Sequence, residues 1–269
     1  MKNVGISVLL MTFLFFPYKG STQLSYEAIP FGGKSALNKL IQTELQYPAN
    51  ALNLNKNGYV SLSFTINPDG SVKDISISQS SDKIFDKEAL RLGKLICWEP
   101  AAKSGVSQLS EKEILIQFDC KKYKKWVRKR GYDLIEFPKN IDTSNHIYHI
   151  KELDIAPQAV FEEKDVTLLK FFKKEFHYPE EALKLNLSGI VDVQFVVEPT
   201  GHITNMRTLT TVGGGCTEEA IRLVSLLNWQ SGIKNGKAVR TMINFPVNFN
   251  LSNSGEYKTP MAQGSTLFY

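Results

Sequence analysis

The sequence predicts an α+β fold of two tandem two-layer domains, each a three-stranded antiparallel sheet with helices packed on one face. Three observations carry this. An internal repeat joins Tyr47-Pro48 to Tyr178-Pro179, 131 residues later, and 23 of the 82 positions from 37 to 118 are identical at that offset without a gap. Within each copy, segments of helical apolar period alternate with segments of period two. The 269 residues are 42% apolar and 11% aromatic, enough to fill two cores. A period this long marks duplicated domains and not a solenoid of small units.

The elements follow in order. Residues 35–46 place Leu37, Leu40, Ile41 and Leu45 on one helical face, and copy two answers with Leu168, Phe171, Phe172 and Phe176. Pro48 and Pro179 interrupt the backbone. A short helical segment follows, with Ala51, Leu52 and Leu54 matched by Ala182, Leu183 and Leu185. Gly58 and Gly189 open a strand. Val60, Leu62, Phe64 and Ile66 alternate inward, as do Val191, Val193, Phe195 and Val197. Asn67-Pro68-Asp69-Gly70 and Glu198-Pro199-Thr200-Gly201 are turns, proline fixing the first central φ. The return strands run through Val72, Ile75 and Ile77, and through Ile203, Met206 and Thr208. Their broken alternation predicts a β-bulge, an imperfect edge being the alternative. A second helix is expected from N-caps Asp86 and Thr217, with Trp98 and Trp229 ending it. The acids Asp86, Glu88, Glu218 and Glu219 are read as helix-start charges that complement the dipole. The last strands are expected at Ile114 to Phe118 and Ile243 to Phe249.

Outside the repeats, residues 1–22 read as a secretory signal: Lys2, an apolar run from Val4 to Pro17, then small residues at Gly20 and Thr22 with cleavage expected before Gln23. An uncleaved anchor is the alternative. Removing 1–22 takes Lys2 and Lys19 and lowers the net charge from +5 to +3. The resulting division is 1–22 signal, 23–120 copy one, 121–159 basic linker with short strands, 160–251 copy two, and 252–269 flexible tail. Residues 121–130 hold seven basic residues and no acid. They read either as a solvated positive extension or as a contact for an anionic membrane surface. Nucleic acid is not expected as a partner, nor is a small-molecule substrate.

No motif for catalysis, cofactor or metal binding stands out: no phosphate loop, no Gly-x-Gly-x-x-Gly, no His-Glu-x-x-His. The expectation is no enzyme, and no catalytic, cofactor-binding or metal residues. Gly213-Gly214-Gly215-Cys216 resembles a nucleophile turn superficially, and would need His177 or His202 as base. Cys97 and Cys120 are candidates for a disulfide in an oxidising compartment, with buried free thiols as the alternative.

The repeated motifs resemble the TonB C-terminal domain family. Those that carry the likeness are Tyr47-Pro48 to Gly58, Val60–Phe64, Pro68-Asp-Gly70 and Trp98. In copy two they are Tyr178-Pro-Glu-Glu-Ala182, Gly189–Phe195, Asn228-Trp229, Asn235-Gly-Lys237 and Pro246-Val-Asn-Phe249. Pro30-Phe31-Gly32-Gly33 is similar to a stretch in the Bacteroidetes version, and copy two has Phe161-Glu162-Glu163-Lys164 instead. The resemblance implies a periplasmic protein-binding module. It would engage a segment of an outer-membrane receptor by strand addition in energised transport. The implied contact regions are 44–48 and 114–118 in copy one, 175–179 and 243–249 in copy two. The short stretch before copy one and the scattered prolines leave an envelope adaptor without direct force transduction as the second reading.

Overall fold

The computed structural model describes residues 25–161 and 166–251. The expected signal (1–22) and tail (252–269) lie outside them. Copy one begins with two short strands, β1 (Ser25–Tyr26) and β2 (Ile29–Pro30), then α1 (Gly33–Glu44) and α2 (Ala49–Asn53). The hairpin β3 (Gly58–Ile66) and β4 (Val72–Ser80), α3 (Asp86–Leu95), β5 (Trp98–Glu99), β6 (Ala101–Lys103), β7 (Val106–Gln108) and β8 (Ser110–Phe118) complete it. Then come α4 (Cys120–Arg130), β9 (Ile147–His149) and β10 (Gln158–Val160). Copy two holds α5 (Leu168–Glu175), α6 (Glu180–Lys184), β11 (Gly189–Val197), β12 (Ile203–Thr208), α7 (Cys216–Ser225), β13 (Asn228–Gln230), β14 (Gly232–Lys234) and β15 (Lys237–Phe249).

The alternation in β3 and β11 becomes burial. Val60, Leu62, Phe64 and Ile66 are fully buried with Leu40, Phe85, Leu92 and Trp98, and Val191, Val193, Phe195 and Val197 with Phe172, Leu223 and Phe249. The Tyr-Pro motif is explained by the tyrosine hydroxyl, which donates to the Lys56 carbonyl from Tyr47 (2.6 Å) and to Leu187 from Tyr178 (2.5 Å). Gly70 and Gly201 have φ of 84° and 83°, and a Cβ there would lie 2.6 Å from the Trp98 carbonyl and 2.1 Å from that of Trp229. The turn therefore packs on the tryptophan backbone, which ties two distant parts of the repeat together.

Both return strands carry the bulge. Ile66 faces Val72 while Thr65 faces Asp74, leaving Lys73 extra. In copy two Val196 faces Thr204 while Gln194 faces Arg207, so Asn205 and Met206 share one partner position. The helix starts differ from expectation. Asp86 and Thr217 lie inside the first turn. Asp82 caps the 3-10 turn that leads into α3, accepting from the Ile84 N–H (2.9 Å), and α7 starts after left-handed Gly215. Trp98 and Trp229 stand in strands β5 and β13.

The larger correction concerns copy two. Copy one has the antiparallel order β4-β3-β8, but copy two builds a five-stranded mixed sheet. Its core order is β12-β11-β15-β14, and β9 runs parallel to β15, Ile147–His149 opposite Arg240–Met242. The reason is continuity. At Leu109, the counterpart of Arg240, copy one breaks between β7 and β8, whereas β15 runs unbroken for 13 residues and meets a strand from the inter-copy segment. That pairing is non-local, so period alone cannot reveal it.

The copies are joined by a buried polar junction. Asn205, in the bulge at φ 52°, donates to the Leu95 carbonyl (2.8 Å) and accepts from the Cys97 N–H (2.8 Å). Arg240 donates to the same Leu95 carbonyl (2.8 Å) and forms a two-pronged pair with Glu198 (2.8 and 2.9 Å). Burial opposes the Arg240 charge, but the Glu198 carboxylate outweighs it and holds the pKa above its ordinary value. Glu44, also buried, meets His202 at 2.6 Å, and Tyr132 stacks on that imidazole. The Pro30-Phe31-Gly32-Gly33 stretch belongs to the same junction. Arg207 lies 3.6 Å over the Phe31 ring, and a Cβ at Gly32 would come within 2.0 Å of the Met206 carbonyl. Its one-sided occurrence follows: copy two supplies the receiving strand, β12.

Arg240→Ala strands the Glu198 carboxylate and removes one donor from Leu95. Chemical denaturation is expected to register a loss of about 3–5 kcal/mol, and Arg240→Lys to recover only part of it because the planar fork is gone. A loss under about 1 kcal/mol would mean the junction does not hold the copies.

Candidate functional site

Copy one leaves an edge free beside an apolar trough. β8 pairs with β3 through all nine residues, from Gly58 opposite Phe118 to Ile66 opposite Ser110. Among the described residues no strand pairs with its other edge. Every second residue of such a strand points its N–H and C=O outward. α1 runs alongside, and between them lies a groove of about 360 Å³. Ile29, Pro30, Leu37, Ile41, Ile114 and Leu115 make it apolar, with Lys34 and Glu113 supplying charge. Leu115 is 51% exposed, a large apolar side chain left at the groove.

The equivalent positions of copy two are closed. Ile41 and Ile114 correspond to Phe172 and Phe245, both buried, whose rings stack at 5.7 Å. Leu115 corresponds to Pro246, which has no N–H to offer a strand. Farther along, the inter-copy segment takes up the edge of β15. β9 pairs with Arg240–Met242, the Ala238 N–H donates to Asn140, and the Asp142 N–H donates to the Ala238 carbonyl, both at 2.9 Å.

The expected contact regions thus fare unequally. Residues 114–118 lie on the free edge and 243–249 on the edge that carries Pro246. Residues 44–48 and 175–179 are committed inward. The Gln46 N–H donates to Glu88 (2.7 Å), whose carboxylate is gripped by Arg91, and Arg91 also donates to the Glu44 carbonyl. Copy two repeats this with His177, Glu219, Arg222 and Glu175. Glu88 and Glu219 are therefore loop anchors as well as helix-start acids. The signal was present as Glu-x-x-Arg at the same offset in both copies, and went unread. Asn205, Glu198 and Arg240 were missed too, since none is repeated in copy one.

The sulfur groups sit apart from this edge. Cys97, Cys120 and Cys216 are free and buried, so the disulfide suggested for Cys97 and Cys120 is not formed. Burial pushes the Cys97 thiol up to about 11, and raises that of Cys216 as well. Cys216 begins α7, while His177 contacts Glu219 and Arg222 and His202 contacts Glu44, so neither serves it as base. Among the described residues no group of three or more His, Cys, Asp or Glu could hold a metal ion.

Tandem α+β units, one with an open strand edge along an apolar groove, define a duplicated two-domain protein of unequal halves. The family model of the Gram-negative bacterial TonB protein C-terminal domain matches residues 43–120 and 174–251. These matches cover more than half of the chain, which therefore belongs to that family, in two copies. Domains of this family are non-catalytic and typically periplasmic or envelope-associated, with a general adaptor or energy-transduction role. No curated protein matches the chain in sequence.

With a thiol pKa near 11, Cys97 is protonated at pH 8, and alkylation of the native protein there is expected to leave it unmodified. Alkylation in denaturant without reductant should add three labels by mass, one for each free cysteine. Only one label would restore the disulfide.

Proposed function

We propose that the protein is a periplasmic binding protein of the TonB type that takes an extended segment of an outer-membrane receptor onto copy one. The observation that carries this is the free edge of β8 beside the α1 groove. An added strand gains backbone hydrogen bonds along β8, and its alternate side chains enter the groove between Leu37, Ile41 and Ile114. Copy two, with Phe172, Phe245, Pro246 and β9 at its edge, serves as the body on which copy one is held. One chain then takes one segment.

The same edge suits the second reading, an envelope adaptor whose partner is another envelope protein. The identity of the captured polypeptide separates the two. A photo-crosslinking amino acid at Leu115 is expected to capture the extended segment of an outer-membrane receptor in intact cells, and one at Asn248 is not. Capture of a different envelope protein at Leu115 would favour the adaptor. Capture only at Asn248 would overturn the assignment to copy one. Leu37→Glu, which puts a charge in the groove, should weaken binding of the captured segment about tenfold or more.

A further inference from the structure

We infer that α4 is a docking surface for the anionic headgroups of a phospholipid bilayer, holding the protein against a membrane independently of the β8 edge. The charge distribution points there first. The whole chain carries +5 and residues 121–130 carry +7, so the remainder carries −2. All the excess positive charge therefore sits on one helix.

The helix is fixed in place by its other face. Cys120 and Tyr123 are buried, Trp126 and Val127 pack on the core of copy one, and the Tyr123 hydroxyl donates to the Asp133 carbonyl (2.9 Å). Arg130 is used internally, donating to the carbonyls of Gln42, Thr43 and Leu45 at the end of α1. Six cations remain, Lys121, Lys122, Lys124, Lys125, Arg128 and Lys129, all exposed. Lys124 meets neutral Asn55 (2.8 Å) and Arg128 the Lys124 carbonyl (3.3 Å). Among the described residues none of the six forms a salt bridge. The nearest acids in sequence, Asp119 and Asp133, hold the Lys122 and Leu134 amides.

At the N-terminal end of the helix the placement runs against the dipole, whereas Arg128 and Lys129 in the last turn agree with it. The first turn after Asp119 holds Lys121 and Lys122 and no acid, where the dipole favours negative charge. In α3 and α7 the first turns hold Asp86 with Glu88 and Glu218 with Glu219. A cationic first turn becomes favourable when an anionic surface faces it. Each lysine or arginine near such a surface strengthens attachment severalfold, and six on a rigid helix suffice without an apolar insertion. α4 follows β8 directly and packs on α1, so a bilayer bound there has the open edge close by.

Vesicle flotation of the full chain tests this, with phosphatidylcholine alone and with about 30 mol % phosphatidylglycerol. Binding is expected only to the anionic vesicles, and is expected to vanish as salt rises from about 0.05 to about 0.5 M. Lys121→Glu with Lys122→Glu should lower the partition coefficient about tenfold or more while raising the melting temperature, since the dipole is then complemented. Lys125→Gln with Lys129→Gln should lower partition without touching the first turn. Equal binding to neutral vesicles, unchanged partition of both variants, displacement by millimolar inorganic phosphate, or tighter binding to DNA than to vesicles would each overturn the proposal. Crosslinking from Leu115 reads the other site, so the two can fail separately.

Discussion

A strand at the edge of a sheet aims half of its backbone N–H and C=O groups away from its neighbour, and those groups must meet water, a side chain or another strand. The two copies answer that constraint in different ways. Copy two spends its edge internally: the inter-copy segment lies parallel along Arg240–Met242, and Pro246 removes a donor beyond it. Among the described residues, copy one leaves all of β8 unpaired on its outer side and sets an apolar trough next to it. Duplication has thus produced unequal halves.

The inequality depends on the junction. Leu95 ends α3 and Cys97 stands just beyond it, so the Leu95 carbonyl has no intrahelical partner and the Cys97 N–H lies past the helix ladder. Asn205 and Arg240 from copy two satisfy them, and the buried Arg240–Glu198 pair is itself completed by that contact. Removing either side leaves polar groups orphaned in the interior, so the copies are coupled by more than apolar contact. The same two residues shape the sheet. Asn205 is the bulge of β12, and Arg240 lies in β15 where β9 joins, so docking of the copies and closure of the second edge use one set of positions.

Much of this was legible in the sequence because it was local or repeated. The offset of 131 exposed both copies, the alternation in β3 and β11 named the core, and the spacing from Val72 to Ile75 announced the bulge. What escaped was either non-local or unrepeated. Parallel pairing of Ile147–His149 with β15 leaves no trace in period, and the polar junction uses residues whose counterparts in copy one are Asn67, Asp74 and Leu109. The helix starts were misplaced by one to four residues because Asp82 and Gly215 compete with Asp86 and Thr217 as cap positions, and a 3-10 turn resembles a first helical turn in sequence. The groove could be read only in part: Leu37, Ile41 and Ile114 looked like ordinary core residues, and their half-burial beside an unpaired strand edge is a tertiary property that their spacing does not carry.

Amide hydrogen exchange resolved by residue tests the unequal edges most directly. In the free protein the outward-facing amides of Ser110–Phe118 should exchange fast, while Ala238, whose N–H is held by Asn140, should exchange slowly. On addition of the extended partner segment, protection should appear along β8 and leave β15 unchanged. Slow exchange along the whole of β8 in the free protein, or protection arising at Ile243–Phe249 instead, would contradict the account.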